Sequence, residues 1–154
     1  MKSVNNYPKA LRIICCCLAL FLSSAAEAQM KEQSTMAKGI HFTDGQWKDI
    51  STKAKKSGKY IFVDAYTSWC GPCKLLKSKT FMEDGAAAYF NDHFINYTID
   101  MEKGEGIELA EQWEVTAYPT LLFFSPDGKL LMRQVGFVNG DRLVAFGKQA
   151  KTKK

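Results

Sequence analysis

Residues 60–66, Tyr-Ile-Phe-Val-Asp-Ala-Tyr, constrain the fold more than any other part of this chain. An amphipathic strand alternates apolar and polar side chains. This run instead is β-branched and aromatic almost throughout, with Asp64 as its one acid. Such a run suits a strand buried on both faces, sandwiched between two layers of helices.

The flanking sequence supplies those layers. Residues 40–43 read as a short strand. Asp44 is placed to cap a helix with Trp47, Ile50 and Ala54 on its apolar side, and Gly58 to end it. Residues 74–79 favour a second helix, with Pro72 in its first turn, where the missing N–H would have no partner anyway. A further helical stretch, 84–90, follows a break at or just before Gly85. Residues 94–100 read as another buried strand, 105–113 as a helix with Ile107, Leu109, Ala110 and Trp113 apolar, and 120–124 as a strand. Ser125-Pro126-Asp127-Gly128 is a strong turn signal, and 129–135 returns as the hairpin partner. Asp141 is placed to cap a last helix through Phe146 and Gln149. The order β-α-β-α-β-α-β-β-α predicts an α/β domain of three layers, α/β/α, without internal repeats. Trp113, Phe123, Phe124 and Phe137 are expected in its core.

Five cysteines fall in two groups. Cys15, Cys16 and Cys17 lie in an apolar run, 13–22, that follows Lys2, Lys9 and Arg12 and precedes Ala26-Glu27-Ala28. A basic start, an apolar middle and a small-x-small site are the layout of a secretory signal peptide, with cleavage expected after Ala28. The run is short of the ~20 residues that span a bilayer. An uncleaved anchor and a lipoprotein are the competing readings, although a lipoprotein would need its cysteine after the apolar run. The resulting organisation is a signal segment 1–28, a polar linker 29–38, one domain 39–150 and a basic tail 151–154. The formal charge of +5 rests largely on lysines between 48 and 59 and in the tail, without the interleaved aromatics of a nucleic-acid surface. No nucleic-acid partner is expected.

The second group is Cys70 and Cys73, in Trp69-Cys70-Gly71-Pro72-Cys73, which follows the apolar strand and opens a helix. Two thiols at this spacing let one sulfur attack a disulfide and the other resolve the intermediate. A purely structural bridge closing so short a loop stabilises by only ~2 kcal/mol. Zinc would ask for four ligands, and His41 and His93 stand far apart in sequence; copper would ask for a further soft ligand or imidazole near the pair. No metal and no cofactor are expected.

Residues 63–74 resemble the active-site segment of the thioredoxin family, and 115–124, with Tyr118-Pro119-Thr120, resemble its substrate loop and the strand after it. The resemblance covers roughly 40–150 and implies a thioredoxin fold with a central mixed sheet. It implies that Cys70 is the exposed nucleophile, its thiolate favoured by the helix N-terminus, and that Cys73 resolves the mixed disulfide, leaving Cys70–Cys73 oxidised. It also implies a cis-proline at Pro119, beside which the Tyr118 backbone holds an extended substrate. Trp69, Gly71 and Pro72 would shape the contact surface, Trp69 covering Cys70, and Gly136 would keep its rim open. Asp64 matches the family's buried acid, which assists deprotonation of the resolving cysteine. Two departures stand out. Asn96 takes the position where the family often has a lysine near that acid, and Tyr66 replaces a tryptophan.

Gly71-Pro72 leans towards a reductant, whereas export leans towards an oxidising compartment. A periplasmic disulfide reductase supplied with electrons by a membrane thiol carrier reconciles the two. Residues 73–81 are also similar to the C-terminal domain of transmembrane disulfide reductases and to periplasmic thioredoxin-like proteins. The expected partners are disulfide-containing exported proteins, the expected state a monomer. A disulfide oxidase or isomerase, and a non-catalytic binding or chaperone module, are the alternatives.

Overall fold

β1 (Tyr60–Tyr66) lies inside a four-stranded sheet, with parallel β2 (Phe94–Asp100) on one side and antiparallel β3 (Thr120–Phe124) on the other. β4 (Leu130–Val135) pairs antiparallel with β3 and forms an edge, giving the order β2-β1-β3-β4. This computed structural model describes residues 38–153. The signal segment and nearly all of the linker expected from sequence lie outside the described residues.

Side chains alternate across a strand, so each strand feeds two cores. Ile61, Val63 and Ala65 of β1, Tyr97 and Ile99 of β2, and Leu122 and Phe124 of β3 meet Ile50 and Ala54 of α1 (Trp47–Ser57) and Leu109 of α4 (Gly106–Gln112). Phe62, Phe94, Leu121 and Phe123 point the other way. They meet Leu76 of α2 (Gly71–Ser78), Phe90 of α3 (Asp84–His93), and Leu143 and Ala150 of α5 (Gly140–Thr152). The expected α/β/α layering with a mixed central sheet is the one observed. Phe62 packs edge-on to Phe90 with ring centroids 4.7 Å apart, and Phe90 stacks on Phe94 at 4.9 Å. Trp113 and Phe124 fill the opposite core, but Phe137 is 44 % exposed and belongs to the surface.

The differences from the sequence reading lie at element ends. Residues 40–43 form no strand: the Ile40 N–H donates to Phe81 O and the Thr43 N–H to Asn96 O, two separate bonds to two elements rather than a ladder. Asp44 caps nothing. α1 starts at Trp47, whose N–H is taken by the carboxylate of Glu105 from across the fold at 2.9 Å. The cap of α5 is Asn139, whose side-chain oxygen accepts the Arg142 N–H at 3.0 Å, so Asp141 sits inside the first turn. α5 runs on to Thr152, taking Lys151 into its last turn. The break before α3 is Glu83, in extended conformation after a 3-10 turn, Thr80–Met82; Gly85 lies within the helix.

α4 follows β2 closely because Gly106 has no side chain. A Cβ there would collide with the carbonyl of Asp100, backbone that cannot swing away. Gly106→Ala is therefore expected to destabilise the fold by about 1–3 kcal/mol, read as a lower denaturation midpoint. Gly85→Ala, where a Cβ meets open space, serves as the control and is expected to be neutral or stabilising.

Candidate functional site

The site forms where β1 ends. Tyr66 is its last residue, Thr67 and Ser68 turn the chain, and α2 begins at Gly71. The Cys70 N–H donates to Thr67 O at 3.2 Å, which closes the turn. Cys70 is thereby the N-cap of α2, with its sulfur accepting the Cys73 N–H at 3.1 Å. A helix N-terminus leaves amide donors unpaired and carries the positive end of the dipole, and both favour negative charge on sulfur. Cys70 and Cys73 are joined as a disulfide. Gly71 and Pro72 between them are exposed. The cysteines themselves are 3 % and 1 % exposed, so the nucleophile expected to stand open is covered in this oxidised state.

Trp69 does not bury itself to provide that cover. It is 64 % exposed, its Nε1–H donates to Glu102 Oε2 at 2.8 Å, and its ring meets that of Tyr118 edge-on at 6.1 Å. The Tyr118–Pro119 peptide bond is cis. Pro119 is buried and its carbonyl accepts the Gly136 N–H at 2.8 Å. Gly136 has φ +92°, a conformation that disfavours any side chain, while a Cβ there would meet open space. Backbone shape is thus a sufficient reason for glycine here, and the space over it is open.

Asp64 is completely buried, two residues before the end of β1 and directly opposite Thr98 of β2. Its Oδ2 accepts the Thr98 hydroxyl at 3.0 Å, and its Oδ1 has no hydrogen-bond partner in the protein. Burial pushes its pKa up to about 6, against the opposing charge of Lys77 and the Thr98 bond. The sequence reading put Asn96 at the position where the family often has a lysine near this acid. In the register Thr98 lies directly opposite Asp64, while Asn96 pairs with Phe62 and its amide donates to His41 O and Asn91 Oδ1. The cation that acts on Asp64 comes from α2, as Lys77. Lys77, Thr98 and Glu102 were missed because nothing in their local sequence marks them; only strand register and helix packing bring them to the site. His41 and His93 stay apart from it, His93 stacked on Tyr89 at 4.3 Å. Among the described residues no group of three or more His, Cys, Asp or Glu side chains is arranged to hold a metal.

A cysteine pair that opens a helix, a cis-proline loop that meets it through Trp69 and Tyr118, and a buried acid on the strand before it are machinery for thiol–disulfide exchange. The comparisons with known proteins agree. The family model of the thioredoxin-like domain matches residues 47–151. A thioredoxin of Mycoplasmoides gallisepticum is 31 % identical over 101 residues, covering 62 % of this chain and 94 % of that protein. A candidate disulphide-isomerase from Bacteroides thetaiotaomicron is 40 % identical, with a TM-score of 0.67 over 78 % of this chain and 99 % of that one. The oxidised C-terminal domain of Neisseria meningitidis DsbD shares the fold at 20 % identity, with a TM-score of 0.58 over 67 % of this chain and 90 % of that domain. The chain belongs to the thioredoxin-like family, as a thiol–disulfide oxidoreductase with Cys70 and Cys73 as its pair.

The burial of Asp64 sets a pH dependence of stability. The unfolded carboxyl ionises near ~3.9, the folded one near 6. Between those values the unfolded chain loses its proton first, so stability falls as pH rises from 4 to 6 and levels off above. The loss amounts to about 3 kcal/mol. Asp64→Asn removes this slope and is expected to be more stable than the wild type at pH 7. Urea unfolding of both disulfide forms at pH 4 and pH 7 measures it; equal slopes for the two proteins would refute the assignment.

Proposed function

We propose that this chain is an exported reductant of protein disulfides. The Cys70 thiolate attacks a target disulfide and binds one of its sulfurs, and the other leaves as a thiolate. Cys73 gives up its proton and attacks Cys70 Sγ, which breaks the mixed disulfide and releases the second target thiolate. The released thiolates take up protons, two electrons have moved to the target, and Cys70–Cys73 is oxidised. The observation that carries this reading is Cys70 as helix cap, its sulfur facing the Cys73 amide at 3.1 Å, which readies one sulfur as nucleophile and leaving group with the other at hand. Tyr118, Pro119, Trp69, Gly71, Pro72 and Gly136 form the ground on which an extended segment of the target lies. Residues 1–28 support export, and Gly71-Pro72 supports reduction. The likeness to the DsbD C-terminal domain supports a membrane-bound thiol donor that re-reduces the pair.

A second reading, isomerisation, is favoured by the 40 % identity to the candidate disulphide-isomerase. The equilibrium of the pair with glutathione separates the two. A reductant is expected near the potential of thioredoxin, about −270 mV, and an isomerase nearer about −180 mV. A value near about −120 mV, that of a dedicated oxidant, overturns the reductase reading.

Cys73→Ser, expressed with its native N-terminus, is expected to accumulate mixed disulfides on Cys70, while Cys70→Ser accumulates none. N-terminal sequencing of the exported protein is expected to start at Gln29. Retention of the whole chain in the cytoplasm would overturn export without touching the exchange chemistry.

A further inference from the structure

Behind the cysteine pair lies a group of side chains that the exchange steps above do not use. Phe62, Asp64 and Tyr66 share one face of β1, because alternate residues point the same way. That face looks at α2, since Phe62 and Leu76 belong to the same core. Lys77 follows Leu76 and stands one helical turn beyond Cys73, on the same side of the helix. Its ammonium lies over the ring of Tyr66, 3.1 Å from the centroid.

Four charged or titratable groups face this spot from three elements. Asp64 and Tyr66 come from β1. Asp100, at the end of β2, pairs with Tyr66. Lys103 comes from the loop that follows. Lys103, itself exposed, is paired with Asp100, its Nζ 3.1 Å from Asp100 Oδ2. Lys77 is partly buried, which pulls its pKa down, while Asp64 and Asp100 push it back up. Asp64, with an unpartnered Oδ1 and complete burial, therefore has Lys77 as its compensating cation.

We infer that Lys77 is a positioning residue for thiol exchange: held on the Tyr66 ring, its charge keeps the Asp64 carboxylate ionised at neutral pH and able to take the proton of Cys73. The inference rests on the reading of Cys73 as the resolving thiol. In the step concerned, the Cys73 proton passes to Asp64, the Cys73 thiolate bonds to Cys70 Sγ, and the Cys70–target S–S bond breaks. The departing target thiolate carries the electron pair and takes up a proton, so no further oxidant or reductant is needed. Lys77 changes no bond; it sets the pH above which Asp64 can act.

The test compares wild type with Lys77→Met, which keeps an unbranched side chain without the charge, and with Lys77→Arg, which keeps the charge. Two quantities are followed from pH 5 to 9: the carboxyl ¹³C resonance of Asp64 in the dithiol protein, and the single-turnover rate of reducing a disulfide-containing peptide. Lys77→Met is expected to raise the Asp64 midpoint and the acidic limb of the rate by about one pH unit. Lys77→Arg is expected to restore both, and in an Asp64→Asn background Lys77→Met is expected to add no further shift. Should Lys77→Met fold poorly, Lys77→Gln removes the same charge. Superimposable carboxyl titrations and rate limbs for wild type and Lys77→Met overturn the inference. A wild type that folds but reduces no peptide overturns the exchange reading instead, and the carboxyl titration still reports on Lys77.

Discussion

The covering of β1 on both faces and both edges is the constraint on which the rest of this structure depends. Its neighbours on either side are hydrogen-bonded strands, and Ile61, Phe62, Val63, Asp64 and Ala65 are all fully buried. A strand held in this way cannot shift by one residue without turning Phe62 out of one core and Val63 out of the other. Its end is therefore fixed in space. The turn through Thr67 and Ser68 starts from that end, and Cys70 reaches the cap position of α2 because the turn is short. Precision at the sulfurs is inherited from the packing of the strand and not from the loop that carries them.

The same rigidity explains why an acid can sit at Asp64. An isolated carboxylate in such a place would cost several kcal/mol, and a carboxyl group answers by holding its proton to higher pH. Here the answer is partial. The Thr98 hydroxyl and the charge of Lys77 offset some of the cost, leaving the group close to 6 and able to change state near neutrality. Full compensation by a direct ion pair would fix it as a permanent anion, and a wholly apolar surround would fix it as a permanent acid. The task proposed for Asp64, taking the Cys73 proton, needs neither extreme.

Much of this was legible in the sequence, and the reason differs from element to element. Residues 60–66, 94–100 and 120–124 could be read as strands because short runs rich in β-branched and aromatic residues favour extended backbone. Gly58 announced the end of α1 because a left-handed residue there has φ +66°. The cysteine pair and Pro119 were visible because their chemistry is local. Helix starts were less legible. Asp44 and Asp141 are good capping residues, yet Glu105 and Asn139 took over their roles, one from 58 residues away. Local preference names a plausible cap; the packed fold decides which donor is satisfied by which acceptor.

The same limit hid Thr98. Finding the residue opposite Asp64 requires the register between β1 and β2, which no local pattern gives. Thr98 stands there with a neutral hydroxyl, and the cation that acts on the acid comes from a different layer. Lys77 can supply it because its long side chain reaches from α2 to the sheet and sets its ammonium over Tyr66. The ring at position 66 is the seat on which that ammonium rests, 3.1 Å from its centre, so the cation nearest the acid is held by an aromatic face and not by a carboxylate of its own.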